Sequence, residues 1–163
     1  MTKEVTEVMV QEIDDIKIIT KKYEIKPGAY LRRADLYRAG LYRANLGEAD
    51  LREANLSGAN LGGANLRQAD FRGADLERAI LNYTKLEGAD FRGANLKRAN
   101  LYRANLRQAD LREANIVGAN LEGAYLGGAD LYDANLSKAK LEGMIIDDGT
   151  YDKDNNLRTY VLV

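Results

Sequence analysis

The chain has 163 residues, of which 45% are hydrophobic and 30% are charged, and its 24 Lys and Arg nearly balance its 25 Asp and Glu. It contains no His, Cys or Trp, which excludes the commonest general base, a thiol nucleophile, disulfide bonds and most transition-metal ligands. No apolar run is long enough to cross a bilayer, so we expect one soluble, non-enzymatic domain without cofactor, bound metal or membrane contact.

Residues 1–28 are predicted to form an N-terminal amphipathic α-helix with a short lead-in that caps the rest of the domain. The apolar residues follow the three-and-four spacing of one helical face, and the pattern ends before Pro27 and Gly28. The mixed charge of this segment is unlike a secretory signal, so we expect a cytoplasmic protein. The helical face would consist of Val5, Val8, Met9, Ile13, Ile16, Ile19 and Tyr23, with one mismatch at Glu12.

Residues 29–146 repeat a five-residue unit: Ala, then Asp or Asn, then Leu, then two variable residues. A spacing of five forms no stripe on a helix and alternates between the two faces of a flat strand. The chain must therefore turn after each unit, so that every Leu and every Ala points inward. A second period of twenty residues in the outward positions predicts four units per coil. Phe71 and Phe91 are one such period apart and should lie on top of each other.

These units, such as ADLYR, ANLGE and ADFRG, resemble those of the pentapeptide-repeat family. The resemblance implies an all-β solenoid, a right-handed quadrilateral parallel β-helix of about six coils. At the usual strand separation of about 4.8 Å, a solenoid of six coils would be roughly 29 Å long. The resemblance says little about activity, because members of one fold family differ in function.

Two outward columns of this coil carry opposite charges at intervals of twenty residues. Stacked carboxylates could bind a row of cations, but we interpret the columns as a self-neutralising surface ladder, since outward charges usually form a solvated face. The Asn residues at equivalent positions, such as Asn45, Asn95 and Asn120, should bond to local backbone and to one another. The ladder residues are Asp50, Asp70, Asp90, Asp110, Asp130, Arg32, Arg52, Arg72, Arg92 and Arg112.

The repeat is interrupted in the segment AILNYTKLEG. Thr84 takes an inward Ala position, while Ile80 and Lys85 take outward positions that elsewhere hold Asp or Asn. Ile80 and Tyr83 would then be exposed, one coil away from Tyr102. A small exposed apolar patch either marks a partner site or reflects drift within the array, and Ile80, Tyr83 and Tyr102 form the candidate partner patch.

Residues 147–163 are predicted to cap the C-terminal end, because open strand edges invite aggregation unless they are covered. The turn pair Asp148 and Gly149 leads through a polar run to TYVLV, which indicates a short hairpin or an extended cap. Tyr160–Val163 could instead be a dimer edge, so a monomer and a dimer through a terminal cap are both open. Asp152–Asn156 begins like a calcium loop but lacks its Gly and its distant Glu.

The sequence therefore predicts a structural or protein-interaction scaffold. The alternative, which the family resemblance implies, is a protein that binds or protects DNA gyrase by mimicking duplex DNA. Residues 29–146 carry 17 Lys and Arg against 15 Asp and Glu, a net charge of +2, whereas a duplex mimic should be strongly acidic. The same balance provides no basic stripe, so we expect no direct nucleic-acid binding. A carbohydrate or metal binder is the third hypothesis.

Overall fold

The computed structural model of the protein describes residues 7–14, residues 17–147 and Thr150. Parallel bridges join residues twenty apart along the coil, from Tyr30 with Asp50 to Tyr125 with Ile145. Each bridge is a single residue, and a turn separates it from the next one along the chain. Four five-residue units thus complete each circuit, which confirms the prediction drawn from the twenty-residue period.

A tight turn closes every unit and joins one side of the coil to the next. In the first unit, the Ala34 N–H donates to the Leu31 carbonyl at 3.0 Å, and the residue before Ala34, Arg33, has a φ of 57°. The same left-handed conformation recurs every five residues from Gly28 to Gly143. It is the conformation that a type II turn has at its third residue. The Leu31 N–H donates to the backbone carbonyl of Asp50 in the next coil, at 2.7 Å.

The interior is filled by the side chains that the five-residue period places inward. The inward Leu, Phe and Ile residues from Leu31 to Leu131 are at most 2% exposed, and the neighbouring Ala residues are also buried. The rings of Phe71 and Phe91 stack with their centroids 4.7 Å apart, which confirms that these residues lie on top of each other. Thr84 is 1% exposed, and its hydroxyl donates to the Leu81 carbonyl at 2.6 Å, so this polar group is buried with a partner.

The predicted N-terminal helix is wrong: this segment forms an antiparallel hairpin of β1 (Glu7–Asp14) and β2 (Lys17–Glu24). Its apolar spacing fits a helix, but Val, Ile and Thr are frequent in it, and β-branched side chains favour a pleated strand over a helix. At the end of β2, the Tyr23 hydroxyl accepts a hydrogen bond from the Asp35 N–H at 3.1 Å. Ile25 follows as part of the core, so the hairpin leads directly into the first coil.

The last circuit keeps the turns of the coil but is less well buried than the circuits before it. Leu136, Leu141 and Ile146 are only partly buried, in contrast to the inward residues before them. The Asp147 carboxylate accepts a hydrogen bond from the Gly128 N–H at 2.9 Å, where earlier coils supply a backbone carbonyl. The resemblance to a calcium loop at Asp152–Asn156 and the suggested dimer edge at Tyr160–Val163 lie outside the described residues.

Candidate functional site

The coil has four sides with different outward residues, and two of them carry the residues singled out in the sequence. We call these the Asp–Arg side and the aromatic side. Because bridges pair residues twenty apart, equivalent side chains of successive coils lie next to each other. The Asp–Arg side is formed by the units around Leu31, Leu51, Phe71, Phe91, Leu111 and Leu131, and the aromatic side by those around Leu41, Leu61, Leu81, Leu101, Leu121 and Leu141.

On the Asp–Arg side, each Arg from the second to the fifth coil binds the Asp of its own unit and approaches the Asp of the next coil. The Arg52 Nε and Nη2 donate to the two carboxylate oxygens of Asp50 at 2.8 and 2.6 Å. The same Nε lies 3.5 Å from the Asp70 carboxylate one coil further on. Each Arg therefore links two carboxylates, which produces one continuous ladder. The pattern repeats at Arg72, Arg92 and Arg112, so that the ladder runs through Asp70, Asp90 and Asp110 to Asp130.

Arg32 occupies the same column but lies outside this ladder. The residue before its Leu is Tyr30, so its own unit offers no carboxylate at the position that Asp50 holds in the next coil. Arg32 instead donates to Glu53 at 2.7 Å, and Arg33 donates to the other oxygen of the same carboxylate at 2.6 Å. The sequence periodicity placed Arg32 in the column, but the identity of its partner depends on the neighbouring coil.

Arg contacts lower the pKa of three ladder carboxyl groups, those of Asp50, Asp70 and Asp110. The hydrogen bonds from Arg52 lower the pKa of Asp50, and those from Arg112 lower the pKa of Asp110. At Asp70, burial is the largest single influence and raises the pKa, but the bonds and charge of Arg72, together with the Arg52 charge, outweigh it and leave the pKa lowered. The pKa of each of these three groups is therefore far from the value near 7 that suits a general acid or base at neutral pH.

The occupied carboxylates also leave little for a cation to bind. Within the described part of the chain, no group of three or more acidic side chains is arranged to hold a metal ion. The ladder is a set of part-exposed ion pairs, and each such pair contributes little to stability by itself.

In the described residues, no helix is long and apolar enough to cross a membrane.

The three residues of the candidate partner patch lie on adjacent coils of the aromatic side. Ile80 is 40% exposed and Tyr83 is 53% exposed. The rings of Tyr83 and Tyr102 meet edge to face, with centroids 5.6 Å apart and planes at 88°. Ile80 bridges to Asn100, two residues before Tyr102, so all three lie on adjacent coils of one side.

Sequence reasoning missed the Arg residues that lie against outward Tyr rings. The Arg103 guanidinium lies 5.1 Å from the centroid of the Tyr102 ring, within the range of a cation–π interaction. The same contact occurs where Arg43 lies over Tyr42 in the first coil, at 5.2 Å. The signal in the sequence is the dipeptide Tyr-Arg, which occurs at residues 37–38, 42–43 and 102–103.

A closed coil of five-residue units with an aliphatic interior and a hydrogen-bonded polar surface defines a β-solenoid repeat protein. The sequence profile of pentapeptide repeats matches this chain in 8 copies, over residues 27–52, 49–82, 81–113 and 109–145. The chain therefore belongs to the pentapeptide-repeat family, which implies the predicted right-handed quadrilateral β-helix. The family generally provides a structural or interaction fold.

Solved structures of this family include several that are similar to the chain. A pentapeptide repeat protein from the thylakoid lumen of Arabidopsis thaliana is 30% identical, with 67% of this chain and 72% of that chain covered and a TM-score of 0.44. HetL of the cyanobacterium Nostoc, which is involved in heterocyst differentiation regulation, is 36% identical, with 75% and 65% covered and a TM-score of 0.33. QnrB1, a plasmid-mediated fluoroquinolone resistance protein, is 20% identical, with 77% and 69% covered and a TM-score of 0.56, and shares the fold. No functionally curated protein shows significant similarity to the chain.

Proposed function

We propose that this protein is a non-enzymatic, cytoplasmic scaffold that binds another protein through Ile80, Tyr83 and Tyr102. The predicted C-terminal cap at residues 147–163 lies outside the described residues except for Asp147 and Thr150. The contacts of Tyr23 with Asp35 and of Asp147 with Gly128 support terminal caps at residues 1–28 and 147–163 as part of this proposal. The observation that carries the proposal is the local departure from the repeat at Ile80 and Tyr83. At Ile80 the chain gives up a hydrogen bond that both neighbouring coils make, and at both positions it exposes apolar surface.

Ile80 replaces a side chain that would satisfy a backbone N–H. In the coils on either side, Asn60 and Asn100 each accept a hydrogen bond from the N–H two residues later, at 3.1 Å in both cases. Ile80 has no side-chain oxygen, and within the described residues the Asn82 N–H has no such acceptor. A departure from a local rule without a structural gain is typical of a functional position.

Tyr83 occupies a backbone position that suits glycine. Its φ is 58°, a left-handed conformation that is unfavourable for a bulky side chain, and the equivalent residues of the adjacent coils are Gly63 and Arg103. This corner holds the Tyr83 ring against Tyr102. Fourteen non-glycine residues of the described chain share this conformation, and Tyr83 is the only one of them that places an aromatic ring at the corner.

The patch lies on a rigid wall, which favours binding. The Ile80 N–H donates to the Ala59 carbonyl at 2.9 Å, and the Tyr83 N–H donates to the Tyr102 carbonyl at 3.0 Å. Leu81, which lies between them in the chain, is fully buried. Little backbone entropy would be lost when a partner binds such a surface. Tyr is also among the residues that contribute most to protein–protein interfaces.

A capture experiment with the full chain tests this proposal. The double variant Ile80→Asn/Tyr83→Gly carries residues that the repeat already uses at these positions, so it should fold at least as well as the original chain. We expect partners retained from a lysate by the original chain to be lost with this variant. Tyr37→Ala removes an exposed Tyr from a neighbouring side and should retain them. If both variants retain the same proteins, the patch is not the binding surface.

Gyrase protection by duplex mimicry is the alternative function. The likeness to QnrB1 extends to the fold, but the carboxylates of the Asp–Arg side are paired with Arg rather than presented like phosphates. We therefore expect no effect of micromolar protein on DNA supercoiling by gyrase, and no protection of gyrase from a fluoroquinolone. Either effect would replace the scaffold proposal with the alternative.

A further inference from the structure

The candidate partner patch is bordered by cations at two corners of the coil. Arg78 and Arg98 precede the Ile80 and Asn100 positions by two residues, and Arg103 directly follows Tyr102. All three occupy the left-handed corner position, with φ between 52° and 58°. The apolar surface of Ile80 and the Tyr rings therefore lies between Arg side chains on both flanks.

These cations are poorly compensated, in contrast to the Arg residues of the ladder. Arg78 has one distant ion pair, with 3.8 Å between its Nε and Glu77. Among the described residues, no carboxylate lies within ion-pair distance of Arg98 or Arg103. Along the aromatic side, the first acidic residue is Glu122, one coil beyond Tyr102. The patch thus combines exposed apolar area with the charges of Arg98 and Arg103, for which the described residues supply no carboxylate within ion-pair distance.

We propose that this surface binds an acidic segment of a partner protein, with apolar side chains against Ile80, Tyr83 and Tyr102 and carboxylates at Arg98 and Arg103. The inference rests on the proposed scaffold function and specifies the chemistry of its partner. A guanidinium binds a carboxylate through two parallel hydrogen bonds, and Tyr102 already holds Arg103 in place through its ring. Complementary charge selects an acidic partner and increases the rate of association.

A protein segment fits this surface better than the other anions that Arg residues attract. Single-stranded nucleic acid binds along continuous basic grooves, whereas the coil has a net charge of only +2 over residues 29–146, from 17 basic and 15 acidic residues.

The Asp–Arg side has a groove of about 340 Å³ lined by Arg72, Arg92, Gly93, Arg112 and Glu113. Its guanidinium groups already bind Asp, so they do not attract a further anion as strongly as Arg98 and Arg103 do.

Selection of peptides from a random twelve-residue displayed library against the immobilised full chain tests the inference. We expect the selected peptides to combine Asp or Glu with apolar residues. Affinity of a synthesised selected peptide should fall about tenfold with each of Arg98→Glu and Arg103→Glu. Lys138→Glu is the matched control, because it occupies the same corner two coils away, and it should leave the affinity unchanged.

The outcomes separate this inference from the scaffold proposal. Selected peptides that lack acidic residues but are lost with Ile80→Asn/Tyr83→Gly would overturn the acidic partner and keep the patch. Peptides that tolerate all of these variants, or no selected peptide at all, would overturn both. A fluorescent oligothymidine should not bind, and binding that depends on Arg98 and Arg103 would assign the surface to nucleic acid instead.

Discussion

Replacement of Phe91 tests how the interior of the coil is packed. Phe91 is fully buried and stacks on Phe71, with ring centroids 4.7 Å apart and planes inclined by 2°. Phe91→Leu introduces the residue that most other units bury at this position. The loss of the aromatic pair and the repacking together should cost about 1–2 kcal/mol. Phe91→Ala leaves a cavity between two coils and should cost about 3–5 kcal/mol.

Equilibrium urea unfolding, followed by circular dichroism, measures these changes. The double variant Phe71→Leu/Phe91→Leu completes a thermodynamic cycle with the two single variants. The cycle should give a coupling of about 0.5–1.5 kcal/mol between the two rings. If Phe91→Leu destabilises the protein as much as Phe91→Ala, or if the coupling is zero, the interior is not packed as a stack of interchangeable aliphatic layers around one aromatic pair.

Three further predictions address the inward Ala positions, the corners and the ladder. Ala94→Lys places an unpaired charge at a position that is 1% exposed and should cost several kcal/mol, so unchanged thermal melting would contradict the inward assignment. Gly93→Ala meets no atom within 4 Å but has a φ of 63°, so it should destabilise by about 1 kcal/mol from backbone strain alone, as a lower urea midpoint would show. Because Arg112 lowers the folded-state pKa of Asp110 below 3.8, the stability from this pair should be present above pH 3.8 and lost as pH falls through the folded pKa. Urea midpoints measured from pH 6 downward should fall less steeply for Arg112→Gln than for the original chain, and equal slopes would show that the pair carries no linkage.

The interior of the coil could be predicted from the sequence because its period is local. A five-residue unit with one tight turn rotates the chain by the same amount each time, so Leu and Ala at fixed positions always face inward. The stacking of Phe71 on Phe91 could be predicted from the number of units per circuit, which the outward residues reveal. The Asp and Arg columns followed from the same count.

The N-terminal segment and the partners of individual side chains depended on tertiary structure. The apolar spacing of residues 7–24 fits a helical face, while β-branched side chains and pairing between β1 and β2 favour the hairpin. Arg32 has the column position of Arg52, yet it binds Glu53, because Tyr30 takes the place of Asp in the unit of Arg32.

The sequence by itself determined which residues face inward, how many units form a circuit and which outward residues share a column. The tertiary structure decided which charges are compensated, since that depends on distances between side chains of different coils. Arg112 and Arg103 are both outward Arg residues in regular units, but Arg112 lies between Asp110 and Asp130, and Arg103 lies over Tyr102. Periodicity fixes the direction of a side chain and its partner within the same unit, whereas contacts with the next coil, such as Arg112 with Asp130 and Arg32 with Glu53, depend on the tertiary structure.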